Sequence, residues 1–392
     1  MIVNYEFLNS EPIENIVTCL NFKIDKVVFF GYREVIDAQK EPTVRFLKRY
    51  CGVKEVVFHP VSDQDLQAVL SVMKAEIEAE LNLGAKLFFD ITGGEELALV
   101  AFGILSREYN TPMHIYNIRK NRLIELDDGS SSNIRDAAEP QHVPFGLDRY
   151  IELRGAMINT DLCTVDISEL TDTVLKEADA VWQIMKRYAE DWNSFSHFLR
   201  GSMVLEADRL VHQSTASIRR TLSGSSGNFH TEEQLYRILD ALSKSGMILN
   251  LNITKEQCSF ILKNDLVKDW LWVGGRVLEL HVFSREKNRS DECRIGVHLD
   301  WDGVIHPKGP ASDVTNEVDV ISFRGLVPKF ISCKSGKMGP NQCLHALYEL
   351  DTIAGRFGGK YAEKVLVTAN PLGSVYLERA EEMGIKVIEM PE

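Results

Sequence analysis

An α/β protein of more than one unit is predicted by three observations. In the first third, short apolar runs of β-favouring residues alternate with amphipathic segments of helical length, which signals right-handed βαβ crossovers and a mostly parallel sheet. In the last third the same patterning spells a different order: helix, three strands, helix, strand, helix, strand. Third, a chain of 392 residues with 44% hydrophobic content is too long for one typical core and divides into two or three domains. The boundaries fall at 1–150, 151–262 and 263–392.

The N-terminal strands are read at 2–8, 26–30, 55–58, 86–91 and 113–116, with helices at 12–20, 41–50, 63–81 and 95–107. Strands this apolar suit a sheet covered by helices on both faces. Such a dinucleotide-type, Rossmann-like sheet binds ligands beyond the carboxyl ends of its strands, where the strand order reverses. In the doubly wound order that point lies between the first and fourth strands. The loops there carry Asn9, Ser10 and Glu11, and Asp90, Thr92, Gly93, Gly94 and Glu95. Asn9, Ser10 and Thr92 offer donors and acceptors to a nucleotide, and the two glycines let backbone amides approach a phosphate. A plain strand-to-helix turn would use the same glycines. No G-x-G-x-x-G and no P-loop pattern occurs, which argues against a redox cofactor and against nucleoside triphosphate hydrolysis.

Residues 127–144 are polar and read as a linker, and 150–154 as a further strand. Helical periodicity runs over 170–222, with Trp182, Tyr188, Trp192 and Phe195 as core aromatics. A flexible break at 223–228 precedes Thr231-Glu232-Glu233-Gln234, a capping box that opens a helix stopped by Gly246. Residues 247–254 and 258–262 then form a two-stranded wing. A helix with a wing suggests DNA recognition, but this helix offers only Arg237 and Lys244. A relay or dimerisation role is the preferred reading.

The C-terminal unit is read as a helix at 265–283 carrying Glu279, strands at 293–300, 317–323 and 329–333, and a helix at 342–356. A strand at 364–368, a helix at 375–383 and a strand at 386–389 complete it. Glu317 and Asp319, two apart on one strand, point the same way, and Lys334 ends the next strand. Carboxylates beside a lysine suit metal-dependent phosphodiester hydrolysis. The carboxylates hold a divalent cation, and the lysine stabilises charge on the nucleophile or the phosphate. Taken alone, the same residues also describe a surface hairpin with one weak ion pair. Gln342 and His345 share a helical face that could contact phosphate, while Tyr348 is read as core.

Composition narrows the class further. A net charge of −13 is awkward for a nucleic-acid enzyme, so phosphate contact requires a local basic surface. Seven scattered cysteines without a CxxC pair argue against a disulfide framework and a structural zinc site. No apolar run approaches the roughly 20 residues that span a bilayer, and no secretion signal is visible. A cytoplasmic protein is the expectation.

The Asp90-Ile91-Thr92-Gly93-Gly94 element, on the fourth strand and beside the polar Asn9-Ser10 loop and Asn15, resembles the CARF domain (CRISPR-associated Rossmann fold), a sensor of cyclic oligoadenylates. Many CARF domains follow the glycines with threonine or serine and lysine; here Glu95 and Glu96 stand there instead. The C-terminal order, with Glu317-x-Asp319 and then Lys334, resembles the restriction-endonuclease-like PD-(D/E)xK superfamily. Together the two resemble cyclic-oligoadenylate-activated CARF nucleases of type III CRISPR systems, the Card/Can class.

That resemblance implies an activator site of Asn9, Ser10, Glu11, Asp90, Thr92, Gly93, Gly94 and Glu95. It implies a catalytic set of Glu279, Glu317, Asp319 and Lys334, with Mn²⁺ or Mg²⁺ held by Asp319, Glu279 and the Cys333 carbonyl. It also implies a homodimer that binds a cyclic oligoadenylate, the tetra-adenylate foremost, and cleaves single-stranded RNA or DNA. Ser332 stands where the family places a second acid. A hydroxyl is a weak ligand for these ions, so either Glu279 or Glu317 supplies the missing charge or the site is weakened; compensation is the preferred reading. The second reading is a cyclic-oligoadenylate-responsive DNA-binding regulator whose nuclease domain is degenerate.

Overall fold

A computed structural model describes residues 1–126, 133–163, 165, 167–224, 229–304 and 315–390. The N-terminal elements are β1 (Ile2–Phe7), α1 (Val17–Asn21), β2 (Lys26–Gly31), α2 (Arg33–Phe46), β3 (Glu55–Pro60), α3 (Leu66–Asn82), β4 (Lys86–Asp90), α4 (Glu96–Tyr109), β5 (Met113–Asn117) and β6 (Arg122–Leu126). They build one sheet in the order β3-β2-β1-β4-β5-β6. All pairs are parallel except β5 with β6. The expected doubly wound order is therefore present, and β1 lies directly beside β4. The strands are apolar because both faces are covered. Tyr5, Phe30 and Phe89 pack under α3 and α4, while Val27 and Phe29 face the other way. Helix α2 begins eight residues before the position expected for it. Pro42 lies inside it rather than at its start.

Of the expected linker, 127–132 lies outside the described residues. The remainder holds to the sheet: in α5 (Ile134–Ala137) Ile134 is buried, and the Gln141 side chain donates to the carbonyls of Phe22 at 3.1 Å and Cys51 at 3.3 Å. The strand expected at 150–154 is instead part of α6 (Leu147–Leu153). Leu147, Tyr150 and Ile151 are all buried, and their spacing of three and four residues matches the helical period, which a five-residue window hides.

Next come β7 (Met157–Ile158), α7 (Asp172–Arg187), α8 (Ala189–Ser202), β8 (Val204–Leu205), β9 (Leu210–Ser214), α9 (Thr215–Ser223), α10 (Glu232–Lys244), β10 (Ile248–Ile253) and β11 (Gln257–Leu262). The continuous helical stretch expected at 170–222 is thus interrupted by two strands, which join the wing in a sheet of order β10-β11-β9-β8. The break between α9 and α10 includes 225–228, outside the described residues. Trp182, Trp192 and Phe195 are fully buried, as a core role requires. The Thr231 capping box forms as expected. Thr231→Ala is expected to cost about 1 kcal/mol, read as a lower urea midpoint. On α10, Arg237 and Lys244 are paired with Glu233 and Asp240 one turn earlier, at 2.5 and 2.6 Å. The helix therefore shows little free positive charge.

The last elements are α11 (Asp265–Trp272), α12 (Arg276–Lys287), β12 (Glu292–Asp300), β13 (Thr315–Arg324), β14 (Val327–Lys334), α13 (Pro340–Gly358), β15 (Glu363–Thr368), α14 (Ser374–Glu382) and β16 (Ile385–Glu389). In place of the single helix expected over 265–283, the chain breaks at Val273-Gly274-Gly275 and restarts as α12. The sheet order is β16-β15-β14-β13-β12-β7, so its edge strand comes from residues 157–158, at the start of the connector stretch. One face carries Ile321, Phe323, Phe330 and Leu366 against α13 and the N-terminal unit. The other carries Val320, Ile331, Cys333 and Val367 against Trp182, Trp270 and Phe283. All seven cysteines are free. Among the described residues no helix is long and apolar enough to cross a membrane.

Candidate functional site

Strands β13 and β14 bring Glu317, Asp319, Ser332 and Lys334 to one cleft of about 180 Å³, closed on its far side by Glu349, Leu350 and Ile353 of α13. The register explains the grouping. Val320 pairs with Ile331, which sets Asp319 across from Ser332, and alternate residues of each strand then face the same way. Asp319 Oδ2 accepts the Cys333 N–H at 2.5 Å and the Ser332 hydroxyl at 3.3 Å. Lys334 is fixed through its carbonyl, which accepts the Ala369 N–H at 3.0 Å.

Glu279 sits in the first turn of α12, just after the Gly274-Gly275 break, with its Oε2 2.9 Å from Arg276 Nη1. Burial and the nearby Asp319 charge push its carboxyl up to about 7, Arg276 opposing them. Burial likewise raises the Asp319 carboxyl, with Lys334 and the Cys333 N–H working against it. Glu279, Glu317, Asp319 and Lys334 therefore feel one another's charge. Glu349 went unnoticed in the sequence, although it lies one helical turn after His345, from which it is 3.9 Å.

Among the described residues no three His, Cys, Asp or Glu side chains converge on one point. The donors present are the Glu317 and Asp319 carboxylates in the cleft, with Glu279 and the Cys333 carbonyl beside it. Mg²⁺ and Mn²⁺ are commonly held by one or two carboxylates together with substrate phosphate and water, so this donor set fits such an ion. Glu279 and Asp319, raised in pKa by burial and by neighbouring carboxylate charge, also describe a place where added positive charge is favourable.

A second cavity, about 600 Å³, opens from Lys334 and is lined by Lys337, Asn341, Gln342 and His345, with Asn193 entering from α8. Lys334 and Lys337 give its lining local positive charge in an otherwise acidic chain. Asn193 Oδ1 accepts the Ser335 hydroxyl at 3.0 Å. A Cβ on Gly274 would come within 2.7 Å of Asn193 Oδ1, and one on Gly336 within 2.5 Å of its Nδ2. The glycines that break the helix thus make room for a connector side chain, which no local pattern reveals. Tyr348, expected in the core, is instead 46% exposed, under the Arg379 guanidinium.

At the other sheet, the loops after β1 and β4 touch. Asn15 holds the first, accepting the Asn9 N–H and donating to the Asn9 carbonyl, both at 2.8 Å. Ser10 is exposed, whereas Glu11 is buried and committed to Arg154 at 2.5 Å. In the second loop, Asp90 is buried and accepts from Thr18 Oγ1 at 2.6 Å and the Thr92 N–H at 2.8 Å. Burial opposes its ionisation, but His114 and the Thr18 and Thr92 hydroxyls prevail and hold its carboxyl below the usual range. Asp90 therefore organises the loop from beneath. Thr92, Gly93 and Gly94 are half-buried, and Glu95 is exposed. Gly94 has φ +135°, and a Cβ there would lie 2.9 Å from Leu99 Cδ2, so the position demands glycine.

No family model and no curated protein matches the chain. Solved structures do match its fold. VC1899 from Vibrio cholerae superposes with a TM-score of 0.69 at 16% identity, over 99% of this chain and 94% of that one. Can2 from Sulfobacillus thermosulfidooxidans, solved in complex with cyclic tetra-adenylate, gives a TM-score of 0.64 at 13% identity, over 98% and 93%. A type III CRISPR defence DNA nuclease activated by cyclic oligoadenylate gives 0.50 at 14% identity, over 93% of this chain and 45% of that one. At these identities the likeness is one of fold, and along nearly its whole length this chain has the fold of VC1899 and Can2.

Proposed function

We propose that the chain is a cyclic-oligoadenylate-activated, metal-dependent endonuclease of type III CRISPR defence. In this reading 1–150 is the sensor, 151–262 the connector and 263–392 the nuclease. The observation that carries it is the meeting of Glu317, Asp319 and Lys334 in one cleft, with Glu279 beside it, in a chain whose other sheet ends in two touching polar loops at its switch point. The fold shared with a protein that binds cyclic tetra-adenylate supports the sensor half.

A divalent cation held by Asp319 and Glu317, with Glu279 and the Cys333 carbonyl as further donors, supplies Lewis-acid activation of a phosphodiester. Lys334 stands where the cleft meets the larger cavity and places its ammonium against charge developing on the phosphate. Lys337 and His345 line the path of the strand, and Asn193 holds the Ser335 end of that path. A two-fold cyclic ligand suits a homodimer that presents its sensor loops across an isologous interface. The regulator reading loses ground because the basic residues of α10 are already paired.

The test incubates the chain with single-stranded RNA, single-stranded DNA and supercoiled plasmid, each with Mn²⁺ or Mg²⁺, with and without cyclic tetra- and hexa-adenylate. Ring-dependent cleavage is the expected result. Absence of cleavage in every arm overturns the nuclease, and ring-dependent duplex binding without cleavage favours the regulator. Ser332→Asp offers a separate check. It adds a charge opposite Asp319, so the variant is expected to melt lower without metal and to gain about 3 °C more from Mn²⁺ than the parent, read by thermal shift.

A further inference from the structure

Glu14 stands between the sensor loops and the cleft. It is 2% exposed. A Cβ built on Gly93 would come within 2.9 Å of Glu14 Oε2 and 3.1 Å of Asn9 Nδ2, so this carboxylate lies directly beneath the glycine loop. Oε2 has no hydrogen-bond partner. Oε1, by contrast, is 2.6 Å from Lys360 Nζ and accepts the Tyr361 hydroxyl. A buried acceptor left unpaired is costly, and a group that offers it a donor gains that free energy back.

Lys360 and Tyr361 form the turn after α13. The same turn is held again by Glu11, whose Oε2 accepts the Lys360 N–H at 3.0 Å. Tyr150 adds a third tie, donating its hydroxyl to the Gly358 carbonyl at 2.7 Å. Helix α13 is also the wall of the cleft through Glu349, Leu350 and Ile353. From Ile353 the helix runs on to Gly358, about 8 Å, and Gly359 alone separates its end from Lys360. Burial raises the Glu14 carboxyl while Lys360 and Tyr361 hold it down.

Resting on the nuclease reading above, we infer that Glu14 is a positioning residue that transmits occupancy of the Asn9 and Gly93 loops to the cleft, through Lys360, Tyr361 and the end of α13. An amino or hydroxyl donor of a bound nucleotide ring at Gly93 pairs Oε2 and draws the carboxylate away from Lys360. The end of α13 is then released to shift Glu349 and its neighbours against Asp319 and Lys334.

The test compares the full-length parent with Glu14→Gln, Lys360→Met and Tyr361→Phe, the last removing only a hydroxyl. Two quantities are read: cyclic tetra-adenylate binding by calorimetry, and the ratio of Mn²⁺-dependent cleavage with the ring to cleavage without it. Lys360→Met and Tyr361→Phe are expected to bind the ring within about threefold of the parent while the ratio changes by about tenfold, the scale of an ordinary coupling free energy; Glu14→Gln, whose side chain meets the ring, is expected to change the ratio by as much and to weaken binding as well. An activated parent alongside variants with unchanged ratios overturns this inference alone. So do Lys360→Met and Tyr361→Phe variants that lose ring binding although they melt like the parent, because the turn after α13 would then be part of the ligand site. A parent that the ring does not activate removes the sensor-nuclease reading, and this inference with it.

Discussion

Asp319→Asn is expected to reduce metal-dependent cleavage about a thousandfold while leaving cyclic tetra-adenylate binding at the parent value. The amide keeps an oxygen for the Cys333 N–H and the Ser332 hydroxyl, the two bonds that seat Asp319 between the strands. What it removes is the charge. Asparagine therefore separates chemistry from folding where alanine would not, because alanine leaves the Cys333 amide without its acceptor. Lys334→Met should match it in size for the complementary reason: the methylene stem still lines both cavities, but no cation faces the phosphate. Single-turnover cleavage of a labelled strand measures the loss, and calorimetry with the ring measures what is retained. Full activity in either variant refutes the placement of the active site.

Arg154→Met is expected to destabilise the chain by about 3–5 kcal/mol, and Glu11→Gln with Arg154→Met together by much less. The pair is 2.5 Å apart with side chains only 10% and 6% exposed. Removing one partner leaves a buried charge without its counter-ion, whereas removing both leaves a shape that apolar atoms and an amide can fill. Arg154 also donates from Nε to the Arg356 carbonyl at 3.3 Å, and Arg356 returns a bond to the Arg154 carbonyl at 2.8 Å. Gly359, at φ +66°, leaves the space that both charged groups occupy. Urea unfolding of the parent, the single variant and the double variant gives the comparison. A cost below about 1 kcal/mol for the single variant would place the pair among weak surface contacts.

The N-terminal sheet was legible because a strand buried on both faces has little choice of composition, and the runs at β2 and β4 show it. The meeting of Asp319 and Lys334 in one cleft was legible for a different reason: two strands joined by a tight turn fix which residues share a face over a short span of sequence. Residues 150–154 misled because five residues are too few to separate a period of two from one of 3.6. The break between α11 and α12 has a tertiary cause, the entry of Asn193 from α8, and glycine alone does not announce it. Glu14 and Glu349 were missed for the same kind of reason. Their meaning lies in partners that only the folded chain supplies, Lys360 for one and the Asp319 cleft for the other.

The C-terminal sheet has no free face. One side is claimed by the N-terminal unit, the other by the connector, and its edge strand is borrowed from residues 157–158. A fragment beginning at residue 263 would lack that strand and expose two apolar surfaces, so it is expected to be insoluble. Such a chain cannot trade its C-terminal unit as a detachable part, since any replacement would have to match two foreign surfaces at once. Diversification within this architecture is therefore expected to proceed by substitution inside the cleft, at positions such as Ser332, with the three-part frame inherited whole.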